Sequence, residues 1–215
     1  VNGIKIGIVP WTYSTNQPIE YPWSVNVFTG SEQELLDQVQ KLDEQCDAVI
    51  AAMHWGTEFT YDLSNEQKVL AQQLADAGAD VIIGNHPHTI QPAAWLDGKD
   101  GKVLCFYSLG NLVSSAYTVS RASEQFQNMY EVGALGQFTL KKTGDKTTVE
   151  DVSIIPFVNQ FSDEYQNFRL VKLEDYTEEM AEQHDQRRFS GDFTAQWLKD
   201  QVRQVFESSG IPVQM

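Results

Sequence analysis

Hydrophobic and polar positions fall into two successive regimes along the chain. Residues 4–9, Ile-Lys-Ile-Gly-Ile-Val, alternate with the period of two that marks a half-buried strand. The runs at 47–53 and 80–84 are continuous and apolar, as strands covered on both faces are. Between them, Leu35, Val39 and Leu42 recur with helical spacing behind a Ser31/Glu34 capping-box pattern. A second such pattern, Ser64 and Gln67, opens a helix carrying Leu70 and Leu74 and ending at Gly78, a residue suited to a left-handed C-cap. This β-α-β-α-β alternation predicts a parallel sheet with right-handed crossovers. Residues 11–30 mix Trp11, Tyr13, Pro18, Tyr21, Pro22 and Trp23 and read as an irregular, aromatic-rich loop.

The second half changes character. Residues 93–96 and 103–109 flank the turn Asp97-Gly98-Lys99-Asp100-Gly101 and predict a hairpin. Residues 132–141, 146–156 and 168–173 predict further antiparallel strands, with Thr143-Gly144-Asp145 as a turn, and helices are expected over 177–188 and 193–208. The fold class is therefore mixed α/β, a parallel unit feeding into antiparallel β. Val1-Asn2-Gly3 opens the chain on the strongest short hairpin signal, although no strand precedes it. Either the sequence begins partway through a larger domain, or the Asn-Gly is incidental at a frayed end.

At 215 residues the chain can fill one core, or one domain with an appendage. Thirty acidic against fifteen basic residues give a formal charge of -15, which argues against nucleic acid and against an anionic membrane surface as partners. The apolar runs are strand-sized and far short of the ~20 residues of a membrane span. Cys46 and Cys105 both sit in apolar surroundings that read as strands, so two buried free thiols are expected; a disulfide would need geometry that sequence does not supply.

Three of the four histidines stand at strand ends. His54 follows the run ending at Met53, in His-Trp-Gly-Thr-Glu; His86 and His88 follow the run ending at Gly84, in Gly-Asn-His-Pro-His. If those strands are parallel neighbours, their carboxyl ends share the edge at which open α/β sheets bind ligands. Pro87 should hold His86 in extended geometry, and alternate residues on extended backbone point to one side. The three imidazoles then converge on a divalent metal such as Mn, Fe or Zn. Glu58 offers a fourth ligand or a general acid/base, or is one more loop glutamate. Asn111, after Ser108-Leu109-Gly110, donates to a bound anion or simply closes a strand. Trp55 packs at the core or rim, and His184, among Glu182, Gln183, Asp185 and Arg187, reads as part of a solvated helix face.

His54-Trp55-Gly56 with Glu58, the stretch from Ala77 to His88, and Tyr107-Ser108-Leu109-Gly110-Asn111 occur in that order. Together with Asn2-Gly3-Ile4-Lys5-Ile6 they resemble the bacterial capsule-synthesis family called CapA, also PgsA, of poly-γ-glutamate biosynthesis, over roughly residues 1–160. That family is similar to the calcineurin-like metallophosphatases, which implies a β-sandwich flanked by helices around a two-metal site. By this likeness His54 corresponds to a lone metal-binding histidine and His86-Pro87-His88 to a His-x-His ligand pair. The family's N-terminal half carries an early Asp, an Asn-x-Glu and an Asn-Asn-His that this chain lacks, and two-metal hydrolysis needs such a carboxylate to bridge the ions. The resemblance thus implies that residues 1–160 form the C-terminal part of a metallophosphatase-like domain, with 161–215 a strand and helical extension.

Two functions follow as expectations. One is a metal-dependent hydrolase-like component of capsule synthesis, acting on poly-γ-glutamate or a related envelope polymer. The other is a non-catalytic polymer-binding or assembly subunit. The resemblance further implies other capsule-synthesis subunits as partners and the extracellular face of the cell membrane as location, while an exposed sheet edge favours a homodimer. A chain of charge -15 repels polyglutamate unless cations intervene.

Overall fold

The computed structural model describes residues 1–113 and 122–215. Its first half is the expected alternation: β1 (Ile6–Thr12), α1 (Glu32–Asp43), β2 (Ala48–His54), α2 (Asn65–Ala77) and β3 (Val81–Asn85). The hairpin β4 (Ile90–Asp97) and β5 (Lys102–Leu109) completes a five-stranded sheet of order β1-β2-β3-β5-β4, parallel except for β4. A short helix, α3 (Glu124–Met129), then leads into an antiparallel sheet of β6 (Val132–Thr143), β7 (Lys146–Ser162) and β8 (Gln166–Lys172). Helices α4 (Glu178–Gln183) and α5 (Ala195–Phe206) follow. Among the described residues no helix is long and apolar enough to cross a membrane.

Strand alternation splits the core in two. Val9, Trp11, Val49, Ala51, Met53, Ile82, Cys105 and Tyr107 pack against Leu35 and Val39 of α1 and Leu70 and Leu74 of α2. The opposite residues Val81, Leu104 and Phe106 meet Val132, Ala134, Ile154 and Val158 of the second sheet, with Leu198 and Val202 of α5. The fold is thus mixed α/β, two stacked sheets with helices on the outer face of the larger one. Among the described residues, that inner face is buried along β3, β5 and β4 and partly buried at Ile50 of β2. On the edge strand β1, Ile8 is 65% exposed.

Local signals succeeded where backbone groups needed a partner. Ser64 and Gln67 form the capping box in full, and Gly78 ends α2 at φ 108. Asn2 and Gly3 take positive φ (51 and 84), and Ile4 N donates to Val1 O at 2.9 Å, so the Asn-Gly turn is formed. Ser31 departs from expectation, because its φ of -135 and ψ of 28 turn the hydroxyl away and no side-chain cap forms. Strand β7 runs past Pro156, where the sequence reading ended it. Pro156 pairs with Ala134 of β6, and pairing to β8 starts only at Phe157, so the missing proline N–H costs the second interface nothing. Both cysteines are free; Cys46 lies in the turn before β2 rather than in a strand.

His184 corrects another expectation: it is buried, not solvated. The helix expected over 177–188 breaks there into α4 and a 3₁₀ turn, Asp185–Arg188. Its Nδ1 accepts from Gln186 N at 2.9 Å, so Nε2 carries the proton and donates to Asn159 O at 2.8 Å. Phe161 and Phe193 sandwich the ring, each 4.4 Å away between centroids. Burial lowers its pKa to about 4 from an ordinary 6.5. Between those values the unfolded chain binds the extra proton, so stability should fall as pH drops through that window, by ~2 kcal/mol at about pH 5. Urea unfolding at pH 7 and pH 5 tests this: His184→Gln should be less stable at pH 7 yet lose less than the parent on acidification.

Candidate metal centre

The parallel register puts the chemistry at one edge. Thr12, His54 and Asn85 are register partners at the carboxyl ends of β1, β2 and β3. Beyond them Trp55 N donates to Asn85 O at 3.0 Å and Phe59 N to Pro87 O at 2.8 Å, which ties the loop after β2 to the loop after β3. Buried Gln67, the cap of α2, supports this loop from below by donating to Gln91 Oε1 at 2.8 Å. Gln91 in turn donates to the carbonyls of Thr60 and Asp62.

The imidazoles gather at this rim. His54 and His86 have ring centroids 4.7 Å apart, and His86 and His88 6.0 Å. One ligand atom each from Glu58, His86 and His88 lie within 4.8 Å of one another. His54 stands beside this group rather than in it. The backbone reaches the arrangement by a route the sequence did not suggest. His86 (φ 109) and His88 (φ 59) both lie at positive φ, so the extended geometry expected ahead of Pro87 is absent. The hydrogen bonds on the carbonyls of Asn85, Pro87 and His88 hold the loop there against its local preference. Phe59 (φ 59) is the third such residue at the site. Backbone of this kind costs on the order of 1–3 kcal/mol per residue and tends to collect where function requires it.

Protonation states suit a cation. Burial is the main cause that lowers His86 to about 4, reinforced by His54 and opposed by Glu58; burial, then His88, also lowers His54. His86 is therefore a neutral imidazole with a lone pair to offer at neutral pH. For His88, Asn111 fixes the tautomer. The Asn111 amide donates to His88 O at 3.3 Å and to Tyr130 O at 3.0 Å, so both its hydrogens are engaged. Its Oδ1, 2.9 Å from His88 Nδ1, must accept. The proton sits on Nδ1, and Nε2, 3.9 Å from Glu58 Oε1, is left as the ligand atom. This is the arrangement by which outer partners orient metal-binding histidines.

Aromatic rings close over the site, and sequence reasoning missed them. Tyr13 lies 4.7 Å from His86 and 6.1 Å from His54, while Phe59 (5.7 Å) and Tyr130 (5.4 Å) flank His88. Tyr13 belongs to the loop read as merely irregular, and nothing local to Tyr130 marked it. Trp55 is core: it is buried, and its indole donates to Tyr107 O at 2.9 Å.

Comparison with known proteins gives a consistent picture. The family model of the bacterial capsule synthesis protein PGA_cap matches residues 1–116, a span that contains His54, Glu58, His86, His88 and Asn111. The chain is 32% identical over 146 residues to the PGA biosynthesis protein CapA of Bacillus subtilis (strain 168), covering 67% of this chain and 35% of that protein. It is 34% identical over 121 residues to the capsule biosynthesis protein CapA of Bacillus anthracis, covering 53% and 28%. The chain thus spans about a third of the length of these relatives.

Proposed function

Because the chain belongs to the bacterial capsule synthesis family PGA_cap, we propose that it contributes a divalent-metal centre of hydrolase type to the biosynthesis of a capsule polymer such as poly-γ-glutamate. The observation that carries this reading is the convergence of Glu58, His86 and His88 within 4.8 Å at the carboxyl edge of a parallel sheet. These three would hold the ion through one carboxylate oxygen and two imidazole nitrogens, a donor set suited to Mn, Fe or Zn. His54 would complete the set or bind a second ion. When bound, such a cation acidifies a coordinated water and polarises a phosphoryl or amide oxygen. The chain's own residues do the rest. Asn111 keeps the His88 proton on Nδ1 and so is a positioning residue rather than a donor to substrate. Tyr13, Phe59 and Tyr130 narrow the approach and limit water around the imidazoles. The place of action would be the extracellular face of the membrane, alongside other subunits of the synthesis machinery.

A second reading, a polymer-binding subunit without turnover, is favoured by one feature. Glu58 is the single carboxylate in the cluster among the described residues, and two-metal hydrolysis calls for one that bridges both ions. Turnover separates the two. The protein, reconstituted with Mn or Zn and assayed on p-nitrophenyl phosphate and on γ-glutamyl amides, should show metal-dependent cleavage that His54→Ala abolishes. Metal binding with no cleavage of either substrate would leave the binding role. A bound ion with all three histidines unliganded would end the metal-centre reading.

A further inference from the structure

An open trough of about 630 Å³ lies beside the metal rim, its lining including His54 and Asn85 but none of Glu58, His86 and His88. Its floor is formed by Pro10, Ala52 and Ile83 of the large sheet, and its wall by the loop 13–27. Two features of its lining are chemical rather than architectural. Among the described residues the lining includes no Asp, Glu, Lys or Arg, although the whole chain carries -15. Apart from the His54 imidazole at the rim end, its polar side chains are hydroxyls and amides: Thr12, Ser14, Thr15, Ser24, Asn26 and Asn85. At the outer lip Trp23 is 82% exposed and stacks on Tyr21, itself 50% exposed, with ring centroids 5.5 Å apart. The platform is held, not frayed. Ser24 bonds twice to Tyr21 O, through N at 2.9 Å and through Oγ at 2.7 Å. Asn26 Nδ2 donates to Pro10 O at 3.0 Å, and Phe28 beyond it is fully buried.

We infer that this trough binds a neutral glycan, seating a pyranose ring on Trp23 and further sugar hydroxyls along the Ser/Thr/Asn wall. The C–H face of a sugar ring meets the negative face of an indole favourably, and its hydroxyls can donate to the oxygens of Thr12, Thr15 and Ser24, whose own protons go to backbone carbonyls. A polyanion fits poorly, because a carboxylate over an aromatic face is repelled and the field of a -15 chain adds to that repulsion. A second copy of the chain is disfavoured by the same charge. The site would let the protein hold wall or capsule glycan beside its metal rim, and it is independent of whether the rim is loaded.

Isothermal titration with cellohexaose and N-acetylchitohexaose, run on the whole chain with a chelator present, tests this directly. At least one oligosaccharide should bind saturably and quench tryptophan fluorescence. Trp23→Ala should weaken binding roughly tenfold and Trp23→Phe less, since a ring is retained. Absence of saturable binding by either sugar at millimolar concentration would overturn the proposal. So would chelator-resistant, Trp23-dependent binding of poly-γ-glutamate, or light scattering that shows Trp23-dependent self-association. Trp23 is exposed, so its variants should keep the parental circular dichroism and melting temperature.

Discussion

Gly84→Ala should cost ~4 kcal/mol or more, enough to unfold much of the chain at physiological temperature. A Cβ built on Gly84 presses into the carbonyl oxygen of Tyr107 and the indole nitrogen of Trp55, well inside contact distance. Those two atoms are hydrogen-bonded to each other at 2.9 Å inside the core, so neither moves without breaking a buried bond. The Tyr107 carbonyl is backbone of a central strand and cannot swing aside as a flexible side chain would. A melting temperature within a few degrees of the parent would show that the β3–β5 contact is looser than described. The glycine lies two residues before His86, so a partially folded variant should also lose metal affinity.

Metal affinity carries the second large effect. His86→Ala removes a neutral imidazole from the centre of the cluster and should lower affinity for Zn or Mn by more than about a hundredfold. Asn111→Ala leaves every ligand in place but frees the His88 ring, and a loss of about 10–100-fold is expected, the usual range for outer partners of ligating histidines. The ordering matters more than either value. If Asn111→Ala bound metal as well as the parent while His88→Ala did not, the hydrogen bond from Nδ1 to Asn111 would be incidental. Equal affinity in parent, His86→Ala and His88→Ala would remove the centre altogether. Competition titration against a chromophoric chelator reads all of these.

Local patterns exposed much of this architecture and less of its site. Continuous apolar runs, the Ser64/Gln67 box and Gly78 located β2, α2 and β3, because each reflects a demand met within a few residues. The position of the three histidines at strand ends followed from the same reading. The backbone reason given for bringing His86 and His88 together does not hold, since both lie at positive φ. The preference ahead of Pro87 is worth less than the hydrogen bonds from Trp55, Phe59 and Asn111 that hold 85–88 in place. Such bonds join positions 23 to 30 residues apart, which no windowed pattern sees. His184 misled for a related reason. Its neighbours in sequence are charged, while its neighbours in space, Phe161, Phe193 and Asn159, arrive from other elements. For Asn111 the sequence offered an anion donor or a strand-closing turn, and only the groups around its amide, His88 and the Tyr130 carbonyl, show what it is engaged with.

Strand β1 carries no neighbouring strand on its outer side from Ile6 to Val9 among the described residues, with Ile8 lying open beside it. Such a margin can recruit the same margin of another molecule, and here mutual repulsion between molecules of charge -15 holds them apart. That repulsion reaches ~30 Å in 0.01 M electrolyte but only ~8 Å at 0.15 M. Dilute buffer should therefore keep this chain colloidally dispersed, and added salt, so often used to rescue a turbid preparation, should bring these margins within reach of one another, which light scattering against ionic strength would read.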